Sequence, residues 1–223
     1  MKIGILGLMS SGKDTFASML QEELSKLGHD FKIDRYARPI KELTADIFNL
    51  TLDELEDRVL KEAPRVVSTS HLLRTCSTFL LWLFQDNPED YTVAMELLQA
   101  YFTSNSHNTL TTVRLFQQYF GTDVVRAVRP NAWVDILQER DENLIVPDVR
   151  FENELCDVNH LVTRFDRTPR PEHPSEQFAW ALQWEHNCWM PQVPHVCNGI
   201  RYSTLDTLRE HAAYVASLVI KQL

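Results

Sequence analysis

Residues 7–15, Gly7-Leu8-Met9-Ser10-Ser11-Gly12-Lys13-Asp14-Thr15, have the types and spacing of a phosphate cradle. They match the pattern GxxxxGK[ST] at every position but the last. Glycines let the backbone curl so that several N–H groups face an anion. A helix starting behind them adds the partial positive charge of its N-terminus. Ser10, Ser11 and Thr15 supply hydroxyl donors, and Lys13 reaches the outer phosphates of a nucleoside triphosphate. Asp14 stands where the pattern has a hydroxyl for magnesium. Its carboxylate either holds magnesium, directly or through water, or stabilises the helix start.

Five further clusters carry polar chemistry. Tyr36-Ala37-Arg38-Pro39-Ile40-Lys41 puts a basic pair at the opening of a helix, which suits an anion. The segment 114–126 places Arg114 and Gln117 on one helix face, with Gly121 expected to end that helix and Thr122 or Asp123 to begin the next. An arginine there could grip a phosphate with two parallel bonds, and an amide could pair with a base edge. Asp148-Val149-Arg150-Phe151-Glu152-Asn153-Glu154 crowds acids and an arginine at the end of an apolar run. Such crowding is costly unless it does chemistry or forms an ion pair. Arg164, Arg167, Arg170, His173, Ser175 and Glu176 lie in a long segment with little periodicity, a candidate lid whose arginines could neutralise a transferring phosphoryl group. His186, Cys188, His195 and Cys197 form two His-x-Cys pairs, a spacing that matches no common zinc finger.

The elements that must position these groups follow from periodicity. Lys2–Leu6 reads as a buried strand, Asp14–Leu27 as a helix ended by Gly28, and 31–36 as a second strand. Strand, helix and strand in that order form the crossover unit of a parallel sheet. Helices are expected from Pro39 to about Phe48, after a capping box at Thr51–Glu54, and over 68–85, 88–103 and 109–120. The sheet resumes at 143–148, with a short helix at 152–159 and strands at 160–165 and 193–198. Gly199 then makes a turn, and a terminal helix spans 205–223. The expected fold is α/β, a parallel sheet flanked by helices. It forms one domain over 1–223, with a helical insertion at about 39–140 and a lid at about 164–194.

Composition narrows the function classes. The chain has 223 residues, 44% of them hydrophobic, enough for one α/β core. A net charge of -9 argues against nucleic acid as partner, because a phosphate backbone needs a basic face. The scattered cysteines Cys76, Cys156, Cys188 and Cys197 suit free thiols in a reducing cytoplasm. The apolar run 79–84 is too short for a bilayer, which takes about 20 residues. A protein without a membrane partner is the expectation.

Taken together, SGKDT, YARPIK, RLFQQYFGTD with Trp133, DVRFENE and HPSE resemble the bacteriophage deoxynucleoside monophosphate kinases. The motifs run in the family's order from residue 7 to 176. The resemblance implies the P-loop kinase fold, transfer of the γ-phosphoryl of ATP to a deoxynucleoside 5′-monophosphate with Mg2+, a homodimer, and residence in the host cytoplasm. It assigns Gly7, Ser10, Ser11, Gly12, Lys13, Asp14 and Thr15 to ATP. Lys41, Arg114, Gln117, Gly121, Thr122, Trp133, Asp148, Arg150 and Glu154 go to the acceptor nucleotide, and Arg167 or Arg170 to the lid. Catalysis falls to Lys13, Asp14, Arg150, Arg167 and Arg170, with Asp14 or Asp148 near the metal. Helices over 68–102 match no family motif. Kinases for phosphomevalonate or dephospho-coenzyme A, a nucleotide-switched regulator and an inactive relative are the rival expectations. The regulator is disfavoured because no Asn/Thr-Lys-x-Asp guanine-reading motif occurs.

Overall fold

A computed structural model describes residues 1–102, 107–164, 177–178, 180–182 and 196–223. The chain forms two compact units, one comprising Met1–Tyr36 with Ile136–Leu223 and the other Ala37–Asp135.

The first unit is an α/β sheet layer. Strands β1 (Lys2–Leu6), β2 (Lys32–Ile33), β5 (Leu144–Val146), β6 (Val158–Arg164) and β7 (Val196–Tyr202) run parallel in the order β2-β5-β1-β6-β7. Central β1 is apolar throughout after Lys2, as a strand covered on both faces must be. Helices α1 (Lys13–Lys26) and α8 (Leu205–Ile220) flank the sheet. Phe16, Leu20 and Leu24 from the first and Leu208, Ala212, Val215 and Val219 from the second meet Ile3, Ile5, Ile145 and Val162 in one core. Gly4 is required by packing, because a Cβ there would lie 2.2 Å from Oδ1 of the buried Asn159. That amide bonds both backbone groups of Cys156, at 2.9 and 2.8 Å, and so fixes the turn into β6.

Three expectations in this unit change. The second strand is two residues long, not six, because Oδ1 of Asp34 accepts from the next backbone N–H, of Arg35, at 2.8 Å and turns the chain. The helix expected over 152–159 is a single 3-10 turn, Glu152–Glu154, before β6 begins at Val158. Gly199 is not a turn but lies within β7, paired with Leu161.

The second unit is mainly helical. It holds α2 (Arg38–Phe48), a 3-10 turn (Glu54–Glu56), α3 (Arg58–Glu62), α4 (Thr69–Leu83), α5 (Pro88–Tyr101) and α6 (Val113–Gln118). A π-helical stretch, Tyr119–Arg126, continues α6, and α7 (Ala132–Gln138) contains the boundary back to the sheet unit. Phe48 meets Phe116 edge to face at a centroid distance of 5.7 Å, and Phe116 stacks on Phe120 at 5.6 Å. The Thr51–Glu54 box forms, with Thr51 N donating to Glu54 at 2.8 Å and Glu54 N to Thr51 Oγ1 at 3.2 Å, but it opens a 3-10 turn rather than an α-helix.

A two-stranded antiparallel ribbon, β3 (Arg65–Ser68) with β4 (Asn108–Thr111), was not expected. It takes the first residues of the predicted 109–120 helix. Helix α6 starts only after Thr112, whose Oγ1 accepts from Leu115 N at 3.1 Å. Gly121 does not end that helix; it lies inside the π-helical stretch. A Cβ on it would come 3.0 Å from Ile40 Cδ1, so the glycine serves close packing instead. Among the described residues, no helix is long and apolar enough to cross a membrane.

Candidate functional site

In a parallel sheet the strand ends share one edge, and here that edge carries the loops after β1, β2 and β5. The loop after β1 is bent by three residues with positive φ: Gly7 (147°), Ser10 (62°) and Gly12 (88°). Within it the Lys13 ammonium folds back onto the carbonyls of Gly7 and Leu8, at 2.6 and 2.7 Å. The loop also closes on itself through Ser11 N to Leu8 O at 3.1 Å. Space at Gly7 is tight: a Cβ would fall 2.3 Å from the carbonyl oxygen of Val162. The N-cap residue of α1 is Gly12, which has no side chain with which to cap it. Ser11 Oγ is buried with no hydrogen-bond partner among the described residues, which costs about 1–3 kcal/mol unless a ligand satisfies it. Ser10 and Thr15 are exposed. The loop therefore gathers a cation, an orphaned hydroxyl and a helix N-terminus, the chemistry of an anion site.

Two side chains that sequence reasoning missed border this loop. Arg35, just past β2, donates from Nη2 to Asp14 Oδ1 at 2.7 Å. Asp14 is 71% exposed in that pair, so its carboxylate is open to solvent. Tyr202, at the end of β7, places its hydroxyl over Gly12, where a Cβ would meet it at 2.2 Å. A lone arginine after a two-residue strand carries no signal. Tyr202 lies beyond the expected end of the last strand.

At the end of β5, Asp148 Oδ1 accepts from Tyr36 N at 3.0 Å, which ties the second strand's exit to the fifth's. Tyr36 also donates from its hydroxyl to Glu154 O at 2.9 Å. Burial raises the Tyr36 hydroxyl far above its ordinary range and pushes the neighbouring Cys156 thiol up to about 12, so both stay protonated at neutral pH. Glu154 is buried, and its Oε2 accepts from the backbone N–H of Arg150 at 2.6 Å and of Phe151 at 3.1 Å. In this structure Glu154 holds the turn that carries Arg150. Among the described residues no group of three or more His, Cys, Asp or Glu is arranged to hold a metal. Asp14 and Asp148 remain the carboxylates at this edge suited to magnesium, which takes one or two of them with phosphate and water.

The other expected acceptor residues lie in the helical unit. Gln117 Nε2 donates to Thr44 Oγ1 at 3.4 Å. Trp133 is buried and gives its indole N–H to Gly121 O at 3.1 Å, so it joins α7 to the π-helical stretch. Thr122 is half-buried in that stretch. Lys41 pairs with Glu56, and Arg114 Nε with Glu62. A stretch with π-helical bonding often marks a functional segment.

The expected lid arginines Arg167 and Arg170, with His173, Ser175 and Glu176, lie outside the described residues. So do His186, Cys188 and His195 of the His-x-Cys pairs. The free thiols of Cys76 and Cys156 are described, and burial raises both.

No protein-family model matches this chain, and no curated protein matches it. The structure defines the class at its coarser level: an α/β protein with a parallel sheet flanked by helices.

Proposed function

We propose that this chain is a P-loop kinase that transfers the γ-phosphoryl of ATP to deoxynucleoside 5′-monophosphates, giving the diphosphate and ADP. The observation that supports it is the loop between β1 and α1, with Lys13 folded on its carbonyls and Ser11 Oγ buried without a partner. The motif resemblance supplies the acceptor class.

In this reading the loop between β1 and α1 binds ATP, and Lys41, Arg114, Gln117, Gly121, Thr122 and Trp133 are acceptor residues. An oxygen of the acceptor phosphate attacks the γ-phosphorus in line. The bond from that phosphorus to the β–γ bridging oxygen breaks, and ADP leaves with the electron pair. The attacking oxygen is already ionised, so no general base is needed. Lys13 and the loop amides hold the β- and γ-phosphates, and the arginines offset charge on the transferred group. Asp14 or Asp148 would hold magnesium, which when bound would supply charge neutralisation for the phosphates.

The test is ADP release with ATP, magnesium and each deoxynucleoside monophosphate in turn. Phosphomevalonate, dephospho-coenzyme A and no acceptor serve as controls. ADP that forms only with deoxynucleotides supports the proposal; ADP with another acceptor alone, or with none, rejects it.

A further inference from the structure

The helical unit contains a cluster of cations whose surroundings differ from those of an ordinary surface. Lys41 on α2, Lys61 on α3 and Arg114 on α6 come from distant parts of the sequence. One carboxylate, Glu56, bridges the two lysines: its Oε1 accepts from Lys41 Nζ and its Oε2 from Lys61 Nζ at 3.4 Å. Glu62 takes Arg114.

Burial is lopsided in these pairs. The side chains of Lys41, Lys61 and Arg114 are 17%, 19% and 31% exposed, whereas those of Glu56 and Glu62 are 55% and 50% exposed. In a common surface ion pair both partners stand in water and little stability results. Here the cations form the floor and the acids the outer layer. Burial, with Lys41 and Arg114 nearby, holds the Lys61 ammonium below its ordinary value even though Glu56 raises it. Like charges are thus drawn together at a cost, which an added anion would relieve.

The scaffold beneath is firm. Asp57 caps α3 by accepting from Val59 N at 2.7 Å and Leu60 N at 3.1 Å. Thr112 caps α6 two residues before Arg114. Glu56, by contrast, ends a short 3-10 turn with its side chain more than half exposed.

We propose that Lys61, with Lys41 and Arg114, seats the acceptor's 5′-phosphate, and that Glu56 is the internal carboxylate which that phosphate displaces. This rests on the acceptor class proposed above. The two oxygens of a carboxylate and two oxygens of a phosphate monoester have nearly the same separation, so the phosphate spans the same two ammonium groups. It also brings the larger charge and leaves an oxygen for Arg114. Glu56 therefore competes with substrate, and Lys61 is a binding residue that no motif marked.

The experiment is calorimetric binding of the four deoxynucleoside 5′-monophosphates, the matching nucleosides, inorganic phosphate and ATP. It compares the wild-type chain with Lys61→Met, Lys61→Arg and Glu56→Gln. Lys61→Met is expected to weaken monophosphate and phosphate binding about tenfold or more, the equivalent of one strong contact. Nucleoside and ATP binding should be unchanged. Lys61→Arg should restore most of the affinity, and Glu56→Gln should tighten monophosphate binding several-fold. A folded Lys61→Met that binds monophosphates as wild type does, or a Glu56→Gln that binds them more weakly, overturns the inference. If Lys61→Met fails to fold, the other two variants decide it. Transfer to a deoxynucleotide at wild-type KM by Lys61→Met rejects Lys61 and leaves the kinase reading intact. Phosphate binding that depends on Lys61, with no transfer to any deoxynucleotide by the wild type, rejects the kinase reading and keeps the phosphate seat.

Discussion

Gly12→Ala tests the geometry of the loop directly. Gly12 has φ 88° and ψ 17°, in the left-handed region, immediately before α1. An L-residue there costs about 1–2 kcal/mol in backbone strain alone. The new methyl would also lie 2.2 Å from Tyr202 Oη and 3.0 Å from Cζ, so Tyr202 must move away. Overpacking of this kind costs about 1–3 kcal/mol. The expected loss is about 2–4 kcal/mol, a large share of the roughly 5–15 kcal/mol that typically holds a domain together. The two contributions separate in a cycle with Tyr202→Phe. Removing the hydroxyl takes away the 2.2 Å clash but leaves φ at position 12 unchanged. The double variant should therefore recover about 1 kcal/mol or more beyond additivity, while the strain persists. Urea unfolding of the four proteins, followed by circular dichroism, supplies the numbers. A Gly12→Ala variant within about 0.5 kcal/mol of wild type would refute the left-handed loop, and a cycle with no coupling would refute the position of Tyr202 over it.

Three other predictions concern the same unit. On the proposed kinase reading, Lys13→Ala should lower phosphoryl transfer by about a hundredfold or more, because it removes the cation proposed to hold the outer phosphates; turnover near wild type in the ADP-release assay would take Lys13 out of the chemistry. Asp14→Asn removes an exposed ion pair with Arg35, so the unfolding midpoint should barely move while turnover falls sharply. Wild-type turnover would reduce Asp14 to a helix-start residue. His211 on α8 meets His160 on β6 with their Nε2 atoms 2.8 Å apart, and burial holds the His211 pKa below its ordinary 6.5. Above pH 6.5 both folded and unfolded chains carry it neutral. As pH falls through that value the unfolded chain takes up a proton that the folded chain resists, so stability declines on acidification. His211→Gln should lessen the loss measured between pH 7.5 and 5.5, and an unchanged slope would show that the pair is not its source.

The periodic elements were legible in the sequence because they depend on local pattern. β1 is an unbroken apolar run after its first residue, α1 repeats its apolar residues at helical spacing, and α2 has Pro39 in its first turn. The glycine loop was legible for the same reason: its chemistry depends on residues adjacent in the chain. Short or cooperative elements were not. The β3–β4 ribbon pairs residues about forty apart, such as Val67 with Thr109, and neither strand is long enough to show alternation. Gly121 resembles a helix terminator until Ile40 is seen packed against it. A close approach of that kind is invisible in one dimension.

The sequence by itself determined where a phosphate-binding loop could form and that a parallel sheet would carry it, since strand, loop and helix are contiguous. Only the tertiary structure decided which side chains surround that chemistry. Arg35 reaches Asp14 because β2 ends beside the loop, and Tyr202 covers Gly12 because β7 runs parallel to the sheet's other strands. Lys61 joins Lys41 through a shared carboxylate because three short elements meet within the helical unit. Local pattern is set by nearest-neighbour sterics and periodicity, whereas these contacts are set by packing between segments that the chain order does not place together.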